Sequence, residues 1–207
     1  MLASRAMSRL LAAIYDRLMK ATEDACLSQW RAELLEPLSG AVLEVGGGTG
    51  ANLAHYPPAV SRLVLAEPDP AMRRRLTRRA GARAVVIDAG AEKLPFPDGS
   101  FDAVVCTLVL CSVRDPAAAL AEIRRVLRPG GRFVFVEHVA ADGNAGRLRW
   151  QRRIEPIWKR LMGNCHVTRR TEEAIRTAGF DLKDVKRESL RKAIPIARPS
   201  VRGVAMR

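Results

Sequence analysis

Between residues 41 and 136 the chain repeats one arrangement, a strand-length apolar run followed by a segment of different spacing. The runs are Ala41–Val45, Arg62–Ala66, Ala84–Ile87, Ala103–Thr107 and Arg132–Val136, and helical patterns lie at Pro70–Ala80 and Pro116–Leu127. Short continuous runs suit strands buried on both faces, and strands alternating with helices build βαβ units around a parallel sheet. An open α/β sheet is expected. Ahead of it, Leu10, Leu11, Ile14 and Leu18 recur at helical spacing among charges, which predicts one or two amphipathic helices ending before Pro37 and Gly40. After Val136 comes an arginine-rich helical stretch holding Trp150 and Trp158, then Thr168–Ala178, where Thr171 is the expected cap of a short helix and Gly179 its stop. The segments 182–188 and 200–206 alternate as two final strands, an antiparallel pair at the sheet edge.

A length of 207 residues fits one domain. Basic residues number 35 against 22 acidic, so the net charge is 35 − 22 = +13, a balance that favours phosphates, anionic membrane surfaces or acidic ligands without choosing among them. Nucleic acid is not the expected partner: the run Arg73, Arg74, Arg75, Arg78 and Arg79 contains no aromatic residue, and single-strand binders interleave the two. That run reads as a solvated helix face. Cys26, Cys106, Cys111 and Cys165 form no CxxC pair, so neither a structural metal nor a disulfide frame is expected, and a cytoplasmic setting follows. Arg5, Arg9, Asp16, Arg17 and Lys20 break up the N-terminal segment, which is expected to lie on an anionic membrane as a peripheral contact rather than to cross it.

The sharpest local signal is Leu43-Glu44-Val45-Gly46-Gly47-Gly48-Thr49-Gly50, read as a buried strand, a glycine turn and then a helix carrying His55. Glycines allow close approach of backbone N–H groups to a ligand, and a helix start adds partial positive charge. Gly46 to Ala51 also satisfies the dinucleotide pattern G-x-G-x-x-G/A, so the loop alone leaves a nicotinamide enzyme open. Glu44 argues otherwise. A carboxylate there would confront a pyrophosphate but can receive an ammonium or its water. Glu67, after the second run and beside Pro68, stands where an acidic residue accepts from both ribose hydroxyls. A nucleoside with a cationic tail satisfies both.

Glu44-x-Gly46-x-Gly48-x-Gly50, together with Ala91-Glu92-Lys93-Leu94-Pro95-Phe96-Pro97-Asp98-Gly99-Ser100-Phe101-Asp102 and Leu127-Arg128-Pro129-Gly130-Gly131, resembles the class I S-adenosylmethionine-dependent methyltransferases. Cys106 to Val113, Glu137-His138-Val139, Thr168-Arg169 and Arg198-Pro199-x-x-Arg202-Gly203 are similar to the membrane-associated thiol S-methyltransferase group. The resemblance implies a Rossmann-like, seven-stranded, mostly parallel sheet with helices on both faces and an antiparallel edge strand. It implies S-adenosyl-L-methionine across the carboxyl edge, with Gly46, Gly48 and Gly50 under the methionine moiety, Glu67 and Pro68 at the ribose, and Ala91 and Glu92 beside adenine. Thr107 and Leu108 would line the sulfonium. Gly90 stands where the family often has an aspartate, so adenine N6 needs another partner, Asp88 or a backbone carbonyl. The expected division is an N-terminal helical lid over 1–36, a cofactor-binding core over 37–140 and acceptor-side helices with final strands over 141–207.

A sulfonium is already an activated donor, so the protein must chiefly align the acceptor and exclude water. A thiol has appreciable thiolate at neutral pH, whereas a phenol or quinol gains more from a general base. The expected acceptor is small and largely apolar, with thiol sulfur favoured and an oxygen or carbon of a phenol or quinol as the alternative; an RNA-binding methyltransferase is the third. Candidate catalytic residues are His138 at the end of the fifth run, His166 in the Asn164–Thr168 turn, and Tyr15, which in similar enzymes closes over cofactor or acceptor. Trp150, Trp158 and Phe180 either wall the acceptor pocket or pack in the core, and Cys111 either faces that pocket or is an inert buried thiol. The oligomeric state stays open.

Overall fold

The computed structural model describes residues 2–207, with side chains described at Leu10 and from Ala12 onward, so Leu11 and the arginines before it fall outside the described side chains. The N-terminal segment is α1 (Leu2–Thr22), a π-helical turn (Glu23–Leu27) and α2 (Ser28–Leu35). Then follow β1 (Gly40–Val45), β2 (Val60–Ala66), α3 (Pro70–Ala80), β3 (Val85–Ile87), β4 (Phe101–Thr107), α4 (Pro116–Val126) and β5 (Leu127–His138). The chain ends with α5 (Ala145–Leu161), α6 (Thr171–Thr177), β6 (Asp181–Leu182), β7 (Lys186–Ser189) and β8 (Pro199–Met206).

Helix starts follow local chemistry. The side chains of Asp69 and Asp115 cap α3 and α4, each accepting from two backbone N–H groups, and a proline occupies the first turn of each helix. Thr171 does not cap α6. It sits one position inside the helix, the cap position falls to Arg170, and the Thr171 hydroxyl has no partner. The glycine loop is also not followed by an α-helix: Leu53–His55 make one 3-10 turn, and Pro57 and Pro58 stop propagation. His55 is therefore a half-buried residue of a tight turn.

The sheet runs β3-β2-β1-β4-β5-β8-β6, with β7 also on β8. Pairs from β3 to β5 are parallel, and β8 is antiparallel to β5, β6 and β7. Eight strands stand where seven were expected, because one edge strand is split. β6 pairs with Ala205 and Met206, β7 pairs with Pro199 to Arg202, and the intervening backbone crowds Gly203. A Cβ on Gly203 would lie 2.8 Å from the Asp184 carbonyl oxygen. One apolar cluster, with Phe133, Phe135 and Ile123, packs α4 and α6 on one face; another, with Leu65, Leu76 and Leu35, packs α2 and α3 on the other.

Strand order reverses between β1 and β4, and such a switch point leaves a crevice at the strands' carboxyl ends. Val45 is level with both Ala66 and Cys106, so the next residues of the three strands, Gly46, Glu67 and Thr107, emerge side by side. On the neighbouring strands Ile87 is level with Ala66 and Val136 with Thr107, which brings Asp88 and Glu137 to the same edge.

Candidate active site

The glycine loop turns left-handed at Gly46, Gly48 and Gly50, with φ of 70°, 56° and 92°. Gly46 is sterically required as well, since a Cβ there would lie 2.5 Å from Val109 Cγ2. At Gly48 a Cβ would meet nothing closer than 3.9 Å, so this residue fronts open space. Its N–H donates to Glu67 Oε2 at 2.8 Å, and the Asp69 N–H donates to Oε1 at 2.8 Å. Each oxygen of Glu67 thus has one backbone donor and capacity for another, as a ribose diol needs. Burial raises its pKa against those two bonds. Arg73 holds the backbone of the turn, donating to the carbonyls of Glu67 at 2.7 Å and Pro68 at 3.0 Å, while its other nitrogen pairs with Asp88 at 2.7 Å. Arg73 therefore leaves the solvated face expected of its run, whereas Arg74, Arg78 and Arg79 stay exposed.

Glu44 is buried at the end of β1, and its two oxygens accept from Asn52 Nδ2 at 3.0 Å and the Tyr56 hydroxyl at 2.8 Å. Asn52 in turn accepts from Arg31 at 2.6 Å, and Arg31 forks onto Glu23 in the π-helical turn at 2.9 and 3.2 Å. Desolvation pushes the Glu44 pKa up to about 7, with these donors and Arg31 opposing. A buried carboxylate so poorly matched to its charge is stabilised by an arriving cation. Asn52, Tyr56 and Arg31 went unremarked in the sequence. The spacing from Glu44 to Asn52 and Tyr56 across a glycine turn carries no periodic pattern, and Arg31 looks like any helix charge.

Helix α1 is fastened across the loop. The Thr49 hydroxyl donates to Asp16 at 2.5 Å, and Asp16 also pairs with Arg79. Tyr15, on the same turn of helix, is pushed up to about 12 by desolvation and lies in the field of Arg31, Cys111 and Cys165. Ala91 is buried in the core. One oxygen of the Glu92 carboxylate accepts from the Arg114 N–H at 2.8 Å, so the side chain braces the chain after β4.

Past β4, Thr107 Oγ1 accepts from Asn52 at 3.2 Å, and Leu108 adopts φ of 60°, a strained value for leucine. The strain is held by Glu137. This fully buried carboxylate accepts from the N–H groups of Val109 at 2.9 Å, Leu110 at 2.8 Å and Cys111 at 3.0 Å. Sequence reasoning noted Glu137 only as a neighbour of His138; a carboxylate serving a turn 26 residues upstream leaves no local signature.

His138 is buried, with Nδ1 lacking a hydrogen bond, and desolvation pushes its pKa down to about 4. His166 is turned to Glu155, 3.3 Å from Nδ1, and its pKa is lowered by desolvation and then Arg169. The two histidines thus stand in different surroundings. Phe180 is a core residue, its ring 5.3 Å from that of Phe133, and Trp150 is exposed, so neither walls a pocket. Trp158 packs with Cys111, Cys165, Val167 and Ile196.

These residues fit S-adenosylmethionine. Glu67 keeps acceptor capacity, Gly48 fronts open space, and Glu44 is a desolvated carboxylate that a cation would relieve. Among the described residues no cluster fits a metal ion, and no helix is long and apolar enough to cross a membrane.

The sequence profile of the methyltransferase domain matches residues 43–135. The human thiol S-methyltransferase TMT1A is 38% identical over 172 residues, covering 80% of this chain and 70% of that protein. Human thiol S-methyltransferase TMT1B is 41% identical over 154 residues, 72% of this chain and 63% of its own length. A solved Thermotoga maritima S-adenosylmethionine-dependent methyltransferase, described as a possible histamine N-methyltransferase, superposes with a TM-score of 0.71 at 21% identity, covering 97% of this chain and 98% of that one.

Proposed function

The chain belongs to the methyltransferase-domain family of S-adenosylmethionine-dependent enzymes, and on that premise we propose that its acceptor is the sulfur of a small, largely apolar thiol. The cofactor supplies an electrophilic methyl group bonded to a sulfonium. Glu67 and the Gly48 backbone hold the ribose side, Glu44 answers the cationic tail through its own charge or a bridging water, and the Thr107–Leu108 turn borders the transfer point. The α1 segment acts as a lid fastened by Asp16.

The observation that carries the choice of thiol is the burial of His138, the candidate base at the end of β5, with its Nδ1 unbonded. His138 at about 4 is too weak a base to draw a proton from a phenol near 10, and Tyr15 at about 12 keeps its own proton. His166 faces Glu155 through Nδ1, but desolvation and Arg169 lower its pKa, away from what a base for a phenol needs. A thiol near pKa 8.5 ionises without assistance. The similarity to two thiol S-methyltransferases supports the same reading.

The test is methyl transfer from labelled cofactor to a panel of hydrophobic thiols, phenols and quinols. Thiols are expected to be methylated at a rate that follows their own ionisation, rising about tenfold per pH unit below about pH 8. His138→Asn should change kcat by less than about tenfold, since no base is required. Transfer to quinols but not thiols, or a hundredfold loss in His138→Asn, overturns the assignment.

Apolar acceptors concentrate in membranes, and the surface suits contact with one. On α5, Trp150, Ile157 and Leu161 form an exposed stripe beside Arg149, Arg153 and Arg160, and Leu10, Ile14 and Leu18 form another on α1. An apolar stripe flanked by arginine lies in an anionic interface. Replacing Ile157 and Leu161 by glutamate should reduce sedimentation with phosphatidylserine vesicles at least tenfold; undiminished sedimentation removes α5 from the contact.

A further inference from the structure

Two of the four cysteines, far apart in sequence, meet on the acceptor side. Cys111 Sγ and Cys165 Sγ are 3.7 Å apart, both buried, in a small apolar cluster with Val167, Ile196 and Ala197. The backbone around them is closely joined: the His166 N–H donates to the Cys111 carbonyl at 2.7 Å, the Asn164 side chain donates to the Ser112 carbonyl at 2.8 Å, and Arg169 reaches the carbonyls of Leu110 and Val113. The 162–169 turn and the turn after β4 are thus already held in register. Cys26 and Cys106 have no sulfur partner of this kind; Cys26 accepts from the Arg191 N–H at 3.3 Å.

We propose that Cys111 and Cys165 are an oxidation site, converted by a low-molecular-weight disulfide into an intramolecular disulfide that weakens cofactor binding. The Cys165 thiolate attacks one sulfur of the small disulfide RSSR, forming Cys165–S–S–R and releasing RS⁻. Cys111 then loses its proton to that thiolate and attacks the Cys165 sulfur, expelling the second RS⁻, which takes up the other thiol proton. Two protein thiols become one disulfide, and the two electrons reduce RSSR to two RSH.

The environment sorts the two roles. Cys165 is the less buried residue at 6% exposure against 1%, and its thiol is lowered by the Cys111 contact, whereas Cys111 is raised by that same contact and by burial. Arg169 adds a positive charge beside both. Cys165 is therefore the attacking sulfur and Cys111 the resolving one.

Closing the bond shortens the sulfur separation from 3.7 Å to about 2.05 Å. Cys111 ends the turn that Glu137 holds and that begins at strained Leu108, so the shift reaches Thr107 and Leu108 beside the sulfonium. Cofactor affinity, rather than the choice of acceptor, is what the bond alters. The inference rests on the placement of Thr107 and Leu108 at the cofactor and is independent of thiol specificity.

The experiment incubates the reduced full-length chain with hydroxyethyl disulfide, alkylates it under denaturing conditions, and maps it by mass spectrometry alongside calorimetry with S-adenosylmethionine. A Cys111–Cys165 cross-link is expected while Cys26 and Cys106 are recovered alkylated. The dissociation constant should rise at least tenfold and return on adding dithiothreitol, and Cys165→Ala should bind normally and ignore the oxidant. Recovery of both cysteines as alkylated thiols, or of Cys165 as an unresolved mixed disulfide, overturns the site. A cross-linked protein that binds the cofactor as tightly as the reduced one overturns the coupling. The mapping uses the unaltered chain, so it decides the first point even if Cys165→Ala does not fold.

Discussion

Glu67→Ala should weaken S-adenosylmethionine binding about a hundredfold while leaving the fold intact. Charge-assisted hydrogen bonds contribute about 1.5–3 kcal/mol each, and the alanine removes the acceptor for the ribose hydroxyls. It also strips the Gly48 and Asp69 N–H groups of the partner that sets the loop against β2. Glu67→Gln should fall between the two, because its amide keeps one acceptor oxygen. Isothermal calorimetry decides it, and an unchanged dissociation constant removes Glu67 from the ribose.

The same titrations carry a pH signature from Glu44. With its pKa at about 7, Glu44 must give up a proton when a cation binds near it, so affinity should fall as pH drops below about 7, by up to tenfold per unit. Above about 7 this contribution is flat. Glu44→Gln should abolish the slope between about pH 5.5 and 7, and a flat profile in the unaltered protein would remove Glu44 from contact with the cationic tail.

Glu137→Ala should be the most destabilising single change at the site, lowering stability by about 4 kcal/mol and Tm by about 10 °C. Three buried N–H donors lose their acceptor at once, each costing about 1–3 kcal/mol before relaxation. Thermal unfolding measures this, and a Tm within about 2 °C of the original would mean the turn is held by other contacts. A pH effect accompanies it. Burial pushes the Glu137 pKa up to about 7, above its ordinary 4.5, so the folded state holds the proton more tightly than the unfolded chain. That contribution is fully present below about pH 4.5 and is lost as pH rises through about 7.

The parallel core and the glycine loop were legible because their signals are local. A buried strand is a short apolar run, and a left-handed turn with no room for Cβ leaves only glycine at Gly46. The Asp-Pro pairs that cap α3 and α4 are an equally local signal, although they went unremarked in the sequence. The expected helix after the loop failed because Pro57 and Pro58 outweighed the glycine-turn pattern; Phe180 took the core alternative, and Trp150 took neither, because aromatic identity does not say which way a ring faces.

By itself the sequence determined the alternating core from β1 to β5, the glycine loop and the acidic residues beside it, since each depends on neighbours within a few positions. Only the tertiary structure decided what those residues do. The Glu23-Arg31-Asn52-Glu44 chain, the Asp16 clasp on Thr49, the Glu137 brace and the Cys111–Cys165 contact join segments that are remote in the chain. Burial, which shifts Glu44 upward and His138 downward, is likewise a property of the packed molecule. Desolvation depends on everything that surrounds a group, and chain order does not encode that environment locally.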